Sequence, residues 1–284
     1  MEKCKLSTIK LIALDLDGTF LNQDSIISEK NRDAVRRAAD AGIEIVISTG
    51  RPYAGVLPVR IDDLPIRYCI TTNGAAVYEY KPKKAIYTQC MENEKIAEVC
   101  TFLMTKHTHF DVFIDGDGFS DVSKAPVIPE LDMPNELRNY LKDTRKQVTD
   151  IASCVRKNPS PVQKVTMNFP LAVTETDRKA VAEFLSADPY FRMVSGGYNN
   201  LEITRSDVSK SRALYWLADH LGIPREATCA IGDSENDRDI IEAAGLGVAM
   251  GNAVDEVKAA ADLVIEDNVH DGVALFIDRV LSEK

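Results

Sequence analysis

Hydrophobic residues in the first part of the chain form short, nearly uninterrupted runs. Three such runs cover residues 9–14, 43–47 and 68–70, and each stops at a polar segment. Residues 28–41 lie between the first two runs and place apolar side chains at helical spacing, behind a serine that can cap the helix. Short apolar strands joined by helices are typical of a parallel sheet that is covered on both faces.

The last third of the chain repeats this pattern. Residues 209–221 predict a helix, residues 227–231 a buried strand, and residues 247–250 and 263–265 two further short strands. Apolar residues at helical spacing over residues 273–281 predict a closing helix that packs on the core. The first and last parts of the chain therefore look like two halves of one doubly wound sheet.

The middle of the chain has a different pattern. Apolar and polar residues alternate in segments 110–114 and 162–168, which predicts half-exposed strands with helices on one side. Such an arrangement is an α+β layer. We therefore predict an α/β protein. Its doubly wound, Rossmann-like parallel-sheet core comprises residues 1–83 and 196–284, and an α+β domain is inserted at residues 84–195.

The charge of the chain argues against two classes of partner. The 284 residues include 34 Lys and Arg against 44 Asp and Glu, which gives a formal net charge of −10. Such a surface repels nucleic-acid phosphates and anionic lipids, and no apolar run reaches the roughly 18 residues of a membrane-spanning helix. The six cysteines are scattered singly and no signal-peptide pattern is present, so we expect a cytoplasmic protein with reduced thiols.

Carboxylates collect where the predicted strands end. Asp15 and Asp17 follow the first strand, and Asp233 follows the strand at residues 227–231. An Asp-Gly pair is also a common turn signal, so the first two residues could be turn formers alone. At the end of a parallel strand, however, one carboxylate can act as nucleophile or metal ligand while the other acts as acid and base. Three converging carboxylates repel one another without a cation, which predicts a Mg²⁺ site.

Three further strand-end or helix-start residues offer hydrogen-bond donors. Taken singly, Lys210 could be a solvated surface charge, Thr49 part of a turn, and Asn236 an ordinary loop amide. Together they offer the ammonium, hydroxyl and amide groups that phosphoryl oxygens accept. With the carboxylates and a metal ion, the set predicts phosphoryl transfer.

Four motifs carry a resemblance to a known family. Asp-Leu-Asp-Gly-Thr at residues 15–19 is followed by Ser-Thr-Gly-Arg-Pro at residues 48–52 and Asp-Val-Ser-Lys at residues 207–210. Gly-Asp-Ser-Glu-Asn-Asp at residues 232–237 is the fourth motif, extended by residues 244–253. In this order the motifs resemble the haloacid dehalogenase superfamily, specifically the Cof-type sugar-phosphatase group with a large α/β cap. The resemblance covers essentially the whole chain.

The resemblance implies an activity and a role for each motif residue. The activity is Mg²⁺-dependent hydrolysis of phosphate monoesters of small metabolites, above all sugar phosphates, through an aspartyl-phosphate. Asp15 would be the nucleophile, and Asp17 would protonate the leaving alcohol and then deprotonate water. The Asp15 carboxylate, the Asp17 backbone carbonyl and Asp233 would hold Mg²⁺. The phosphoryl oxygens would be held by Leu16, Thr49, Gly50, Lys210 and Asn236.

Other positions near the motifs leave alternatives open. Arg51 could reach the phosphate or hold its own loop, and Asn73 matches a turn at the boundary with the cap. Asp237 would orient Lys210 or metal-bound water, unless it is a surface residue. One departure is visible, because Ser211 stands where the family usually has glycine. We expect this change to have small geometric consequences.

The inserted domain would be the cap that selects the substrate, and its sequence is the least informative. Residues 115–118, Asn199, Asn200 and Glu202 could contact sugar hydroxyls, but hairpin turns for the first group and surface positions for the others are the favoured interpretations. His107 and His109 lack a third metal ligand, so we expect ordinary surface residues. The expected partner is a small phosphorylated metabolite, and the sequence predicts no oligomeric state.

Two other functions remain open from the sequence. A phosphosugar mutase, similar to phosphomannomutases, would use the same groups to move a phosphoryl group between sugar positions. A regulatory module would use Asp15 only as a phospho-acceptor, as receiver domains do. Receiver-like domains, however, lack an inserted cap and an acid in the position of Asp17.

Overall fold

The computed structural model describes residues 5–195 and 197–284, and its elements alternate as the sequence predicts. Up to Thr88 they are β1 (Leu11–Leu14), α1 (Glu29–Asp40), β2 (Glu44–Ser48), α2 (Tyr53–Val56), β3 (Tyr68–Thr71), β4 (Ala76–Glu79) and β5 (Lys84–Thr88). Then follow α3 (Asn93–Met104), β6 (His109–Ile114), β7 (Asp117–Asp121), α4 (Asn135–Thr144), β8 (Lys146–Val148), α5 (Ile151–Lys157), β9 (Val162–Asn168), α6 (Lys179–Ser186), β10 (Phe191–Val194) and β11 (Asn200–Arg205). The last part contains α7 (Lys210–His220), β12 (Thr228–Gly232), α8 (Arg238–Ala243), β13 (Leu246–Ala249), α9 (Asp255–Ala260), β14 (Leu263–Val264) and α10 (Gly272–Ser282).

The chain divides into two compact units. The core unit consists of the described residues up to Tyr87 together with Ser209–Lys284, and the second unit is Thr88–Val208. These boundaries differ from the predicted ones at residues 83/84 and 195/196. The later boundary moves because β11 hydrogen-bonds to β9 and β10 and therefore belongs to the sheet of the second unit. Gly196, where the predicted boundary fell, lies outside the described residues, as do residues 1–4.

The core unit is built on a sheet of eight strands in the order β14-β13-β12-β1-β2-β3-β4-β5. The six strands from β14 to β3 pair in parallel, while β3 and β4 are antiparallel. After β1, the chain first adds β2 and β3 on one side of that strand. It later adds β12 on the other side. This reversal beside β1 is the topological switch point of a doubly wound sheet, and it confirms the predicted fold class.

The central strands are mostly apolar because helices cover both faces of the sheet. In β1, Ile12 and Leu14 face a cluster that includes residues of α1, α9 and α10, whereas Leu11 and Ala13 face residues of α7 and α8. Two predicted helix caps are also confirmed. Ser28 accepts a hydrogen bond from the backbone N–H of Asn31, and Ser209 does so from that of Arg212.

The second unit contains a six-stranded sheet in the order β10-β11-β9-β6-β7-β8. One face carries apolar residues such as Phe110, Val112 and Ile114 of β6, which pack with residues of α3, α5 and α6. The other face is polar, in agreement with the predicted α+β layer. Its positions are not half-exposed, however, because every residue of β6 and β9 is buried.

Pairing within the sheet explains how the polar face of the second unit is buried. Asp111 lies 3.0 Å from the Arg145 guanidinium, and Lys164 lies 2.8 Å from Glu202. The expectation that His109 is a surface residue is wrong, since it is buried on β6 within hydrogen-bond reach of Ser120. Burial lowers the pKa of His109, so the neutral imidazole is favoured there.

Two further expectations from the sequence concern reduced thiols and membrane-spanning helices. Cys69, Cys90, Cys100 and Cys154 carry free thiols, Cys229 is buried, and Cys4 lies outside the described residues. Among the residues that the structure describes, none of the helices combines the length and the apolar character needed to cross a membrane.

Candidate active site

The switch point of the core sheet brings the ends of β1 and β12 together. Leu14 and Ile231 are register partners at the ends of these parallel strands, and the backbone N–H of Asp15 donates to the carbonyl of Ile231 at 3.0 Å. Asp15 and Asp233, which are distant in sequence, therefore follow neighbouring strands. This edge is where open α/β sheets place their ligands.

Lys210 joins two carboxylates at the centre of the site. Its ammonium donates to Asp15 Oδ1 at 2.7 Å and to Asp237 Oδ1 at 2.6 Å, and only 1% of the residue is exposed. Burial alone would lower the pKa of Lys210, but the two carboxylates raise it above its usual value. The surface interpretation of this lysine is therefore excluded, and its charge is held inside the site.

Asp15 is 4% exposed and lies among like charges. Burial, followed by the neighbouring Asp237, raises the pKa of Asp15 well above its usual value, and the ammonium of Lys210 opposes this shift. Asp233 and Asp17 raise it further. A carboxylate in this environment favours a compensating positive charge.

Asp237 is a buried positioning residue, so the alternative of a surface position is excluded. One carboxylate oxygen accepts from Lys210, and the other accepts from the backbone N–H groups of Asp233 and Ser234 at 3.2 and 3.1 Å. Gly232 makes this possible, because a Cβ there would overlap the Asp237 side chain. Asp237 thus ties the lysine to the loop after β12.

Asp233 is oriented by the first motif. The hydroxyl of Thr19 donates to Asp233 Oδ1 at 2.7 Å. Gly18 has a left-handed φ of 79°, and a Cβ at this position would overlap the Asp233 carboxylate. Burial raises the pKa of Asp233 to about 6, although the hydrogen bond from Thr19 opposes the shift.

Three carboxylates at this edge of the sheet are close enough together to hold a metal ion. Among the described residues, oxygens of Asp15, Asp233 and Asp237 lie within 4.8 Å of one another. Oxygen donors of this kind suit Mg²⁺. Burial, together with neighbouring carboxylates, raises the pKa of both Asp15 and Asp233. Asp237 already accepts four hydrogen bonds, from Lys210, the backbone N–H of Asp233, and the backbone N–H and hydroxyl of Ser234, so Asp15 and Asp233 are the better side-chain ligands.

Asp17 lies next to this cluster but turns its side chain elsewhere. Its carboxylate accepts two hydrogen bonds from Arg51, at 2.8 Å from Nε and 2.5 Å from Nη2. The side chain of Asp17 is not part of the three-carboxylate group. Both oxygens of the Asp17 carboxylate are therefore engaged by Arg51.

A second group of residues forms a polar loop cluster beside the carboxylates. Thr49 is buried, and its hydroxyl accepts from the backbone N–H of Arg51 at 3.1 Å. The Asn236 amide donates to Asn73 Oδ1 at 3.2 Å, which joins the loop after β3 to the loop after β12. Gly50 packs against both amides, and a Cβ there would come within 2.8 Å of Asn73 Oδ1. These loops bring together Thr49, Gly50 and Asn236, three of the five residues predicted to hold a phosphoryl group.

Gly74 fixes the position at which α7 begins. It has a left-handed φ of 96°, and a Cβ would overlap the carbonyl of Ser209. The turn after β3 therefore packs directly on the residue that precedes Lys210. Ser211, the departure from the family pattern, is accommodated because its hydroxyl donates to Asp239 at 3.0 Å.

Two motif residues, Thr19 and Asn252, have structural roles that the sequence alone did not assign. Thr19 orients Asp233, and the Asn252 amide donates to the carbonyl of Gly18 at 2.8 Å. In the sequence, the position of Thr19 directly after the Asp-Gly pair of the first motif was the signal that could have indicated this role. Leu16 is fully buried.

The candidate substrate residues of the second unit have local structural roles. Asp115 and Gly116 form the turn of the β6–β7 hairpin, both with positive φ. The Asn199 amide donates to the carbonyl of Phe169, and Glu202 accepts from Lys164. His107 is exposed and lies 2.8 Å from Glu130.

Known proteins with a similar sequence or structure cover nearly the whole chain. A sequence model of haloacid dehalogenase-like hydrolases matches residues 12–277. The chain is 34% identical to 5-amino-6-(5-phospho-D-ribitylamino)uracil phosphatase YwtE of Bacillus subtilis, over 96% of this chain and 99% of the relative. It is 30% identical to pyridoxal phosphate phosphatase YbhA of Escherichia coli, over 95% and 98%. A solved haloacid dehalogenase-like hydrolase from B. subtilis aligns with a TM-score of 0.81 at 27% identity, covering 95% of this chain and 99% of that one.

Proposed function

This chain belongs to the haloacid dehalogenase-like hydrolases and is a phosphatase, and we propose that it hydrolyses phosphate monoesters with Mg²⁺ through an aspartyl-phosphate at Asp15. The family predicted from the four motifs is confirmed. The observation that carries the proposed mechanism is the buried contact of Lys210 with Asp15, next to Asp233 at the switch point of the sheet.

The first half of the proposed reaction transfers the phosphoryl group to the enzyme. An Asp15 carboxylate oxygen bonds to phosphorus while the bond from phosphorus to the alcohol oxygen breaks. Asp17 gives its proton to the leaving alcohol. Lys210 holds Asp15 in place and supplies positive charge beside the transferring group, where charge increases in the transition state.

The second half of the reaction regenerates Asp15. A water oxygen bonds to phosphorus, the bond between phosphorus and Asp15 breaks, and Asp17 takes the proton from the water. The backbone N–H groups of Leu16 and Gly50, the Thr49 hydroxyl and the Asn236 amide are suited to hold phosphoryl oxygens through both steps.

Mg²⁺ fits the carboxylate cluster. Asp15 and Asp233 would hold it together with the backbone carbonyl of Asp17, because these are hard oxygen donors and the two carboxylates have raised pKa values. When bound, the ion neutralises the carboxylates and the phosphoryl oxygens so that an anionic substrate can approach Asp15.

The metal proposal predicts a stabilising effect of Mg²⁺ that depends on Asp233. Mg²⁺ should raise the midpoint temperature of thermal denaturation of the wild-type protein. At a Mg²⁺ concentration about 100 times Kd, binding should add about 2.7 kcal/mol to the free energy of unfolding. Asp233→Asn keeps an acceptor for Thr19 but removes the charge. This variant should lose the Mg²⁺ shift and about 100-fold or more of the phosphatase activity.

The stability of Asp233→Asn and of the wild type without metal provides the internal control for this experiment. Because burial raises the pKa of Asp233, its charge is unfavourable without a cation, and Asp233→Asn should be no less stable than the wild type in chelator. Asp63→Asn, at an exposed carboxylate that binds Arg32 and Arg36, should keep both activity and the Mg²⁺ shift. If Mg²⁺ still raises the denaturation temperature of Asp233→Asn, the proposed site is contradicted.

For the substrate, we propose sugar phosphates and sugar-alcohol phosphates. The two named relatives act on a phosphoribityl compound and on pyridoxal phosphate, which are both phosphate esters of small alcohols. A panel of sugar phosphates, sugar-alcohol phosphates, pyridoxal phosphate and nucleotides, compared by kcat/KM with Mg²⁺, should rank the first two classes highest. Highest values for nucleotides would contradict this choice.

The same panel separates the alternative functions. A phosphatase releases inorganic phosphate from each substrate, whereas a mutase returns an isomerised hexose phosphate without free phosphate. A regulatory phospho-acceptor would keep a stable label without turnover. We propose the cytoplasm as the setting of the reaction, because Cys69, Cys90, Cys100 and Cys154 are free thiols.

A further inference from the structure

Arg51 holds Asp17 by two hydrogen bonds at once. Its Nε and Nη2 atoms donate to the two carboxylate oxygens of Asp17 at 2.8 and 2.5 Å. This two-point geometry is specific to a guanidinium, and it fixes both the position and the plane of the carboxylate.

Arg51 is itself held by the loop that carries it. Its third guanidinium nitrogen, Nη1, donates to the carbonyl of Gly55 at 3.1 Å, and its backbone N–H donates to the Thr49 hydroxyl. The side chain is 27% exposed. Contacts with Thr49 and with Gly55 of α2 therefore hold Arg51 in the position from which its other two nitrogens reach Asp17.

Asp17 depends on this contact for its orientation. Its side chain is 56% exposed, and the carboxylate stands apart from the group formed by Asp15, Asp233 and Asp237. A side chain with this exposure samples several rotamers unless a partner restrains it. Arg51 supplies that restraint, because its two hydrogen bonds engage both oxygens of the Asp17 carboxylate.

We propose that Arg51 is a positioning residue that holds the Asp17 carboxyl group where it can take the proton of the hydrolytic water. This inference rests on the proposed function of Asp17 as the base of the second half-reaction. In that step the water oxygen bonds to phosphorus, the bond between phosphorus and Asp15 breaks, and the proton moves to Asp17. Without Arg51, the carboxylate is in its productive position for a smaller fraction of the time, and the phosphoenzyme hydrolyses more slowly.

An activated substrate isolates this step. With p-nitrophenyl phosphate the leaving group needs little help from an acid, so phosphorylation of Asp15 remains fast when Asp17 is disturbed. Arg51→Ala should lower kcat by about tenfold or more and lower KM with it, leaving kcat/KM nearly unchanged. A burst of p-nitrophenol and an acid-trapped phosphoenzyme should appear together with this loss.

A double-mutant cycle shows whether Arg51 acts through Asp17. Asp17→Asn should also produce the burst, and adding Arg51→Ala to that variant should cost less than about threefold more. Arg51→Lys keeps the charge but loses the two-point contact, so its kcat should lie between those of the wild type and Arg51→Ala. If Arg51→Ala does not fold, the lysine variant gives the same test. Arg37→Ala, which removes an exposed arginine paired with Asp33 and Asp278, is the matched control. This variant should show no burst.

Other outcomes overturn the inference. Equal losses in kcat and kcat/KM, or full additivity with Asp17→Asn, would mean that Arg51 contacts the phosphoryl group directly. A loss of thermal stability with no burst would mean that its role is structural. If Asp17→Asn itself shows neither a burst nor a loss of activity, the proposed function of Asp17 fails. If Asp17→Asn shows the burst and Arg51→Ala does not, only the positioning role of Arg51 fails.

Discussion

Asp15→Asn is expected to reduce phosphatase activity by about 10³-fold or more while the protein remains folded. The substitution preserves shape but replaces the oxygen nucleophile by an amide, which cannot carry the phosphoryl group. Folding should be little affected, because burial already raises the pKa of Asp15 and makes its charge costly. Steady-state assays of phosphate release with Mg²⁺, together with thermal denaturation, measure both effects.

Trapping the intermediate makes this prediction specific to a covalent mechanism. Wild-type enzyme quenched in acid during turnover should carry a phosphoryl group on the peptide that contains Asp15, and Asp15→Asn should carry none. Asp24→Asn is a matched control, since Asp24 is an exposed loop residue in the same unit. Near-normal turnover by Asp15→Asn would rule out Asp15 as nucleophile.

Lys210→Met is expected to damage both stability and activity. Removing one partner of a buried ion pair leaves the other charge without compensation, which typically costs about 3–5 kcal/mol. Here two carboxylates, Asp15 and Asp237, lose the ammonium that lies 2.7 and 2.6 Å from them. Activity should fall about 10²-fold or more, because positive charge beside the transferring phosphoryl group is lost.

The stability loss in this variant should depend on pH in a defined direction. Lys210 lowers the pKa of Asp15 against the effect of burial, so its removal raises that pKa further. A carboxyl group whose pKa is higher in the folded than in the unfolded protein destabilises the fold as pH rises between the two values. Lys210→Met should therefore lose more stability at about pH 8 than at about pH 5, as measured by chemical denaturation.

Two further variants complete this test. Lys210→Arg keeps a positive charge and should be more stable than Lys210→Met. Lys30→Met, at an exposed lysine that pairs with Asp271, should leave stability and activity near those of the wild type. Wild-type stability of Lys210→Met at neutral pH would contradict the buried contact on which the proposed mechanism rests.

The sequence predicts the core unit well because its signals are local and strong. The run at residues 227–231 corresponds to β12, which the structure places at Thr228–Gly232, and the serine caps of α1 and α7 are present. Strands covered on both faces must be apolar at every position, so their ends appear in the sequence as the first polar residue. Asp15 and Asp233 are found for the same reason.

The second unit was predicted less well because its sheet buries polar residues in pairs. His109 looks like a surface residue when only its neighbours in sequence are considered, yet it is buried near Ser120 and Asp111. Strand β11 alternates polar and apolar residues and was assigned to the core segment. Its pairing with β9 depends on contacts between distant residues, which no local pattern contains.

Within the candidate site, residue types were easier to predict than side-chain directions. The motifs identify Asp17 and Arg51 as polar residues of two strand-end loops, but not that they bind each other. They also leave open whether Asp237 is buried beside Lys210. Side-chain directions and burial at these positions depend on how loops that follow separate strands pack together, as at Gly74 and Ser209.

The order of β1 between β2 and β12 has a consequence for synthesis on the ribosome. A nascent chain that ends at Val208 already contains Asp15, Asp17 and Thr49, but it lacks the strand that completes the sheet beside β1. Lys210 and Asp233 follow only later in the chain. The second unit, which is one continuous segment, can therefore fold during elongation, whereas the catalytic centre assembles only when translation is nearly complete.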